Sequence, residues 1–288
     1  MSPAIAVEQL LNTAALSALL FLVSVGLSLV FGILRVVNFA HGMFYMLGAY
    51  IGFSIVSRSG SFWLALALAP PLVGLIGAAL ESTTLRFIYR RPPIYQVLLT
   101  FGLSLILEEA VRIVWGATAQ AVDPPAWLAG SVTLGATVYP TYRLFLITVG
   151  AVVGGGLWLF LKTTRAGLVI RAVAQNGEMA GCLGTDVRRV RTAVFGLACA
   201  LAGLGGVVAA PMLTAYLGMG IGVIVEAFVV VVIGGLGSIG GSIVGSLIVG
   251  AAQTWGGFFI SEVAMAIMYA VMAAVLVFRP WGLFGDEE

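Results

Sequence analysis

Apolar runs of about twenty residues, the length an α-helix needs to cross a bilayer core, follow one another along the chain with short polar points between them. Residues 10–31 form the first run and Arg35 the first polar point. A second run over 36–56 is interrupted, because Asn38, His41, Gly42 and Gly48 stand where a lipid-facing helix would carry Leu or Val. A third, 62–84, contains Pro70 and Pro71, which predict a kink and carbonyls without intrahelical partners. Such backbone is tolerated only against protein or a wet cavity. A basic turn over 86–96 leads into a fourth run, 94–115, that carries Glu108, Glu109 and Arg112. The loop 116–140 has no Lys or Arg. Runs over 142–161 and 192–212 flank a polar stretch, and after them come 223–233, a glycine-rich break over 234–245, an apolar continuation to Trp255, and 260–278.

This pattern predicts an all-α polytopic membrane protein with eight to nine transmembrane or half-spanning helices, forming a single membrane-embedded domain over 1–288. Composition agrees: 61% of residues are hydrophobic and 9% charged, with mean hydropathy +1.11, against about 25% charged in soluble domains. Thirty-eight glycines fit closely approaching membrane helices. Residues 1–9 lack Lys and Arg, so the first run is expected to stay as a span rather than act as a secretory signal.

The polar chemistry is concentrated in 162–191, KTTRAGLVIRAVAQNGEMAGCLGTDVRRVR, which holds six of the fourteen basic residues. Thr163 and Thr164 can cap a helix from Arg165 to about Asn176. Asn176-Gly177 breaks it, and 178–183 gives one or two further turns. Gly184 ends those turns, and Thr185-Asp186 stands at the N-cap of the apolar run that begins at Val187 and Val190. If the segments at Arg35, 86–91, 162–191 and Arg279 share one side, that side carries eleven of fourteen basic residues. The positive-inside rule makes it the cytoplasm and puts the N-terminus outside. The parity requires 234–241 to be a cytoplasmic turn or a re-entrant break.

Several chemistries are excluded. The one lysine, Lys162, follows Leu161 rather than a Gly-rich loop, so ATP hydrolysis through a Walker site must belong to another subunit. No Gly-x-Ser-x-Gly occurs. Two cysteines, Cys182 and Cys199, with a single histidine make neither a metal framework nor an expected disulfide. No catalytic residue, cofactor, metal set or nucleic-acid partner is expected.

Four segments in this order, VNFAHGMFYMLGAY from Val37, RAVAQNGEMAGCLGT from Arg171, GGLGSIGGSIVG from Gly234 and RPWGLFG from Arg279, resemble the permeases of branched-chain amino acid ABC importers, the LivH type. The resemblance covers nearly the whole chain. It implies an ABC importer permease fold with interrupted helices, in the bacterial inner membrane. A LivM-type second permease, two ATP-binding cassette ATPase subunits and a soluble substrate-binding protein are the implied partners. It also implies that 162–191 couples to the ATPases, with Arg171, Asn176, Glu178, Gly184 and Asp186 in that role. Asn38, His41, Gly42, Gly237 and Ser238 are the expected pathway residues. Thr185 and Gly240 depart from the isoleucine and proline common in the family, which also contains importers for urea, amides and aromatic or short-chain acids.

Plainer readings stand beside these. Asn38 and His41, three apart, would share a helix face and either line a path or make interhelical hydrogen bonds. Glu108 and Arg112 read as a local i, i+4 ion pair. Glu81 and Glu262, near predicted helix ends, are expected to reach the interface. Gly237, Gly241 and Gly245 form a four-residue stripe whose plain meaning is close packing and whose sharper one is a broken helix beside a path. Arg188, Arg189 and Arg191 can anchor a helix end to headgroups. The competing function is an ion-coupled secondary transporter or channel, which needs mid-membrane ionisable groups. A membrane anchor would need no interrupted spans.

Overall fold

The computed structural model describes residues 2–89, 91–135, 137–260 and 263–285. Helix α1, Pro3–Leu34, is its axis. Ser2 Oγ caps it and Pro3 takes the first helical position, where the missing N–H costs nothing. It ends at Arg35, whose left-handed backbone (φ 52°) lets its N–H close on Phe31 O. Its thirty-two residues rise about 48 Å, more than the roughly 30 Å hydrocarbon core. It packs against α5, α8, α9 and α10.

Around it stand α2 (His41–Ser59), α3 (Phe62–Thr83), α4 (Pro93–Trp115), α5 (Thr141–Thr163), the short α6 (Arg165–Gln175) and α7 (Gly177–Cys182), then α8 (Val187–Leu213), α9 (Met219–Gly234), α10 (Ile239–Phe259) and α11 (Ala264–Phe278). Ser61 Oγ caps α3, which stays helical through Pro70 and Pro71. Helices α3 and α8 meet along a seam of small residues, where a β-carbon on Gly74 would lie 2.9 Å from Gly196 O and one on Gly77 2.5 Å from Cys199 Sγ. Helix α4 is peripheral and is held to α2 by Trp115 Nε1 donating to Ser54 Oγ at 2.5 Å.

The loop 116–140 folds into a hairpin of β1 (Ser131–Leu134) and antiparallel β2 (Thr137–Pro140), an element the apolar-run reading leaves out. Thr137 Oγ1 donates to Ala4 O and Tyr139 OH to Asn12 Oδ1, each at 3.2 Å, which ties the hairpin to the start of α1. Gln120 and Ala215 exchange backbone hydrogen bonds of 2.8 and 2.9 Å, and Trp127 stacks on Trp63 at 5.6 Å. The loop is thus fastened across one end of the bundle.

At the opposite end Ser28 Oγ donates to Ser238 O at 3.3 Å, and Leu283 and Phe284 N–H donate to Ile233 and Gly234 O at 2.9 and 3.0 Å. The α9–α10 turn and the RPWGLFG segment therefore share the end at which α1 reaches Arg35. Among the described residues five spans, Pro3–Leu34, Phe62–Phe87, Thr141–Thr163, Val187–Leu213 and Ile239–Phe259, are long and apolar enough to cross a membrane, and Met219–Gly234 and Ala264–Phe278 are apolar but shorter. The chain is an all-α multi-pass membrane protein. Among the described residues the last apolar run becomes a helix only from Ala264, and Glu262 lies outside the described residues.

Candidate functional site

Between α1 and α2 the backbone runs non-helical over 36–40. Asn38 lies in this segment, not on α2, so it does not share a helix face with His41 as its spacing suggested. Instead Asn38 Oδ1 accepts from Ala40 N at 3.1 Å and its carbonyl accepts from His41 N at 3.2 Å. An asparagine offers its own side chain to nearby backbone in just this way, which competes with helix. Both residues are fully buried. His41 Nε2 lies 3.1 Å from Val23 O, so it is the nitrogen that donates. Asn38 Nδ2 and His41 Nδ1 are buried without a hydrogen-bond partner among the described residues. The ring rests on α1, where a β-carbon on Gly26 would lie 3.0 Å from His41 Cε1, and α8 meets the same glycine, its Ala198 O 2.7 Å from that β-carbon. Gly42 abuts Gly220 of α9 backbone to backbone.

The second break lies farther along α1. Gly235 and Gly237 have φ of 104° and 85°, a region open to glycine, and Ser238 Oγ caps α10 by accepting from Gly241 N at 3.0 Å. Gly237 therefore sits in the turn while Gly241 and Gly245 lie on α10, so the three do not form one helical stripe. Gly241 meets Gly234, and Gly245 meets Val230 O, at the α9–α10 crossing. Gly237 helps line a cavity of about 700 Å³ with Phe31, Arg35, Leu236 and Trp281. The structure brings Gly237 and Ser238 against Gly32 and Ser28, and His41 against Val23 and Gly26. The two groups share α1 but occupy different turns of it.

The segment 164–191 follows its caps. Thr164 Oγ1 accepts from Gly167 N at 3.0 Å, Asn176 Oδ1 from Met179 N at 2.9 Å and Asp186 Oδ1 from Arg189 N at 3.1 Å. Thr163, the other candidate, instead donates to Leu159 O at 2.7 Å. Gly184, with φ 88°, ends α7. Arg171 is exposed, but its Nη1 reaches back to donate to Leu161 O at the end of α5. Met179 and Leu183 are exposed at 58% and 81%. They lie four apart at the end of α7, so this short segment presents an apolar tip that a reading focused on charge overlooks.

Two charge assignments change. Arg112 Nη2 pairs with Glu109 Oε1 at 2.7 Å, not with Glu108; i, i+3 and i, i+4 neighbours lie on the same face and either can close. Glu81, expected at the interface, is 1% exposed and turned inward. Cys182 is exposed and Cys199 buried, on different helices.

A helical bundle with a buried interruption at 36–40, a second, partly exposed one at 235–238 and a compact capped projection at its basic end is a polytopic membrane protein in architecture. The family model described as branched-chain amino acid transport system / permease component matches residues 9–276. The chain belongs to this family. It is 27% identical to the high-affinity branched-chain amino acid transport system permease protein BraD of Pseudomonas aeruginosa, covering 98% of this chain and 96% of that one. It is equally 27% identical, with the same shares covered, to the corresponding LivH of Escherichia coli. A probable branched-chain amino acid transport permease protein LivH of Methanocaldococcus jannaschii is 26% identical over 94% of this chain and 90% of its own. No solved structure matches the chain.

Proposed function

We propose that the chain is the permease subunit of an ABC importer for branched-chain or related hydrophobic amino acids in a bacterial inner membrane, with its N-terminus outside. A LivM-type second permease, two ATP-binding cassette ATPases and a soluble substrate-binding protein complete the transporter. The observation that carries this reading is the segment 164–191 in a chain matched by the family almost end to end: two short helices, each with a side-chain cap, ending in the exposed pair Met179 and Leu183. That is a small rigid knob of the kind a separate ATPase can grip. Arg171 fixes it to α5, Asn176 and Asp186 cap it, Gly184 turns it, and Glu178 stands in the first turn of α7.

The pathway in this reading passes beside the non-helical 36–40 segment, where Asn38, His41 and Gly42 interrupt the bundle, and toward the turn at Gly237 and Ser238. Buried polar atoms without partners are costly in a bilayer, and Asn38 Nδ2 and His41 Nδ1 are two of them. Selectivity rests mainly with the binding protein, because few ionisable groups lie along this route.

The test is reconstitution of the chain with its permease, ATPase and binding-protein partners into proteoliposomes. Uptake of labelled leucine should require both ATP and the binding protein. Uptake that persists without ATP but collapses with the ion gradient would overturn the assignment.

A further inference from the structure

At the basic end of the bundle, Glu81 near the end of α3 is 1% exposed and has three partners. Thr192 Oγ1 of α8 donates to its Oε2 at 2.6 Å, Tyr89 OH donates to its Oε1 at 2.8 Å, and Arg86 Nη2 lies 3.5 Å from Oε2 while donating to Thr192 Oγ1 at 2.9 Å. Burial and the bond to Glu81 push the Tyr89 phenol well above its ordinary value, so it remains a donor. Arg191 lies over the Tyr89 ring, 5.7 Å from its centroid. A β-carbon on Gly177, the first residue of α7, would stand 3.7 Å from Arg191 Nη2. Gly177 of α7 thus faces Arg191 at the start of α8, and from α8 Arg191 reaches Tyr89 while Thr192 reaches Glu81, so both side chains tie α8 to the end of α3.

A carboxylate buried this fully requires donors, and here they come from both α8 and the turn after α3. Arg86 Nε and Arg191 Nε are themselves buried without an acceptor among the described residues, so the network has donors to offer Glu81 in a second arrangement. Beyond Thr192, α8 carries the tight α3 seam and then Ala198, whose carbonyl abuts Gly26 beside His41. A displacement of α7 therefore reaches the polar interruption through one rigid helix.

We propose that Glu81 and Thr192 form the latch that transmits movement of the α6–α7 segment to the α3–α8 pair, making them positioning residues for coupled transport. This rests on the proposed function, in which that segment meets the ATPases. Charge-assisted hydrogen bonds of this kind are strong and directional, and a contiguous packed network is what energetic coupling requires.

The experiment uses the fully reconstituted transporter and reads leucine taken up per ATP hydrolysed, beside copurification of the ATPases and the melting temperature. Thr192→Val keeps the shape and removes the hydroxyl, and should lower the ratio about tenfold, the scale of one lost hydrogen bond to a charged group. Thr192→Ser should keep the ratio within about twofold, since the donor to the charged group remains. Glu81→Gln should fall as Thr192→Val does, and the double variant should lose no more than either alone. A wild-type ratio in Thr192→Val and Glu81→Gln would overturn the latch. So would loss in Thr192→Val that comes with lost assembly or a matching loss in Thr192→Ser, which would make the role one of stability. Failure of the wild type itself to take up leucine would strike the proposed function instead.

Discussion

Gly42 and Gly220 press α2 and α9 together backbone to backbone: a β-carbon on Gly220 would lie 2.6 Å from Gly42 O. No side chain fits between them, and the entry of α2 after the 36–40 segment depends on that contact. Gly42→Val and Gly220→Val should each destabilise the purified protein by about 1–3 kcal/mol or more, the usual cost of overpacking. Gly102, which has no atom within 4 Å of its position for a β-carbon, provides the control, and Gly102→Ala should leave thermal unfolding in detergent unchanged or slightly raised, since alanine is the better helix former. Equal melting of all three would show that α9 is free to move away from α2.

His41 offers a sharper test of the same region. Its Nε2 donates to Val23 O at 3.1 Å from a fully buried ring. Glutamine preserves an N–H donor and an acceptor, whereas leucine removes both. His41→Gln should therefore sustain leucine uptake in the reconstituted transporter, and His41→Leu should impair it. Normal uptake by both variants would reduce His41 to a packing residue and remove the main support for a pathway beside α2.

The helices were legible where a single local rule decides them. Thr164, Asn176, Asp186 and Gly184 act as their residue types predict, because capping and left-handed turns depend on a few adjacent backbone groups. Asn38 misled because its spacing from His41 assumed a helix, while its side chain preferred its own backbone. The β1–β2 hairpin escaped because its strands are four residues each, and its anchors, Ala4 and Asn12, are more than a hundred residues distant in sequence. Glu81 escaped for the same reason: Thr192 of α8 reaches it only after α3 and α8 pack. Polar residues near a span end have a cheap alternative in the interface, and the nearby Arg86 and Tyr89 fit that alternative as well as they fit an inward turn.

The caps also predict local stability. Asn176→Ala removes the acceptor for Met179 N, and Thr164→Ala removes that for Gly167 N. Each loss costs about 1 kcal/mol in helix stability. Amide exchange over 165–182 should quicken about fivefold in each variant, the kinetic equivalent of that loss in a locally opening segment, while α1 stays protected. Acceleration spread equally through α1 would mean that the segment does not open by itself.

Gly184 and Glu178 test whether the segment transmits force or merely decorates the surface. Gly184 holds φ 88°, its N–H donates to Gly181 O at 3.0 Å, and Thr185 N–H reaches back to Ala180 O at 3.0 Å, so the chain reverses there immediately after the exposed Leu183. A β-branched residue in this left-handed region costs about 1–3 kcal/mol, which should redirect α7 while leaving the membrane helices intact. Glu178 stands in the first turn of α7, where a carboxylate complements the helix dipole and a lysine opposes it. Gly184→Val and Glu178→Lys should insert and purify normally, bind or release ATPase subunits abnormally, and hydrolyse ATP with little leucine uptake. The measurement is uptake per ATP hydrolysed in proteoliposomes. Should both variants match the wild-type ratio, α7 would not be the element through which hydrolysis drives transport.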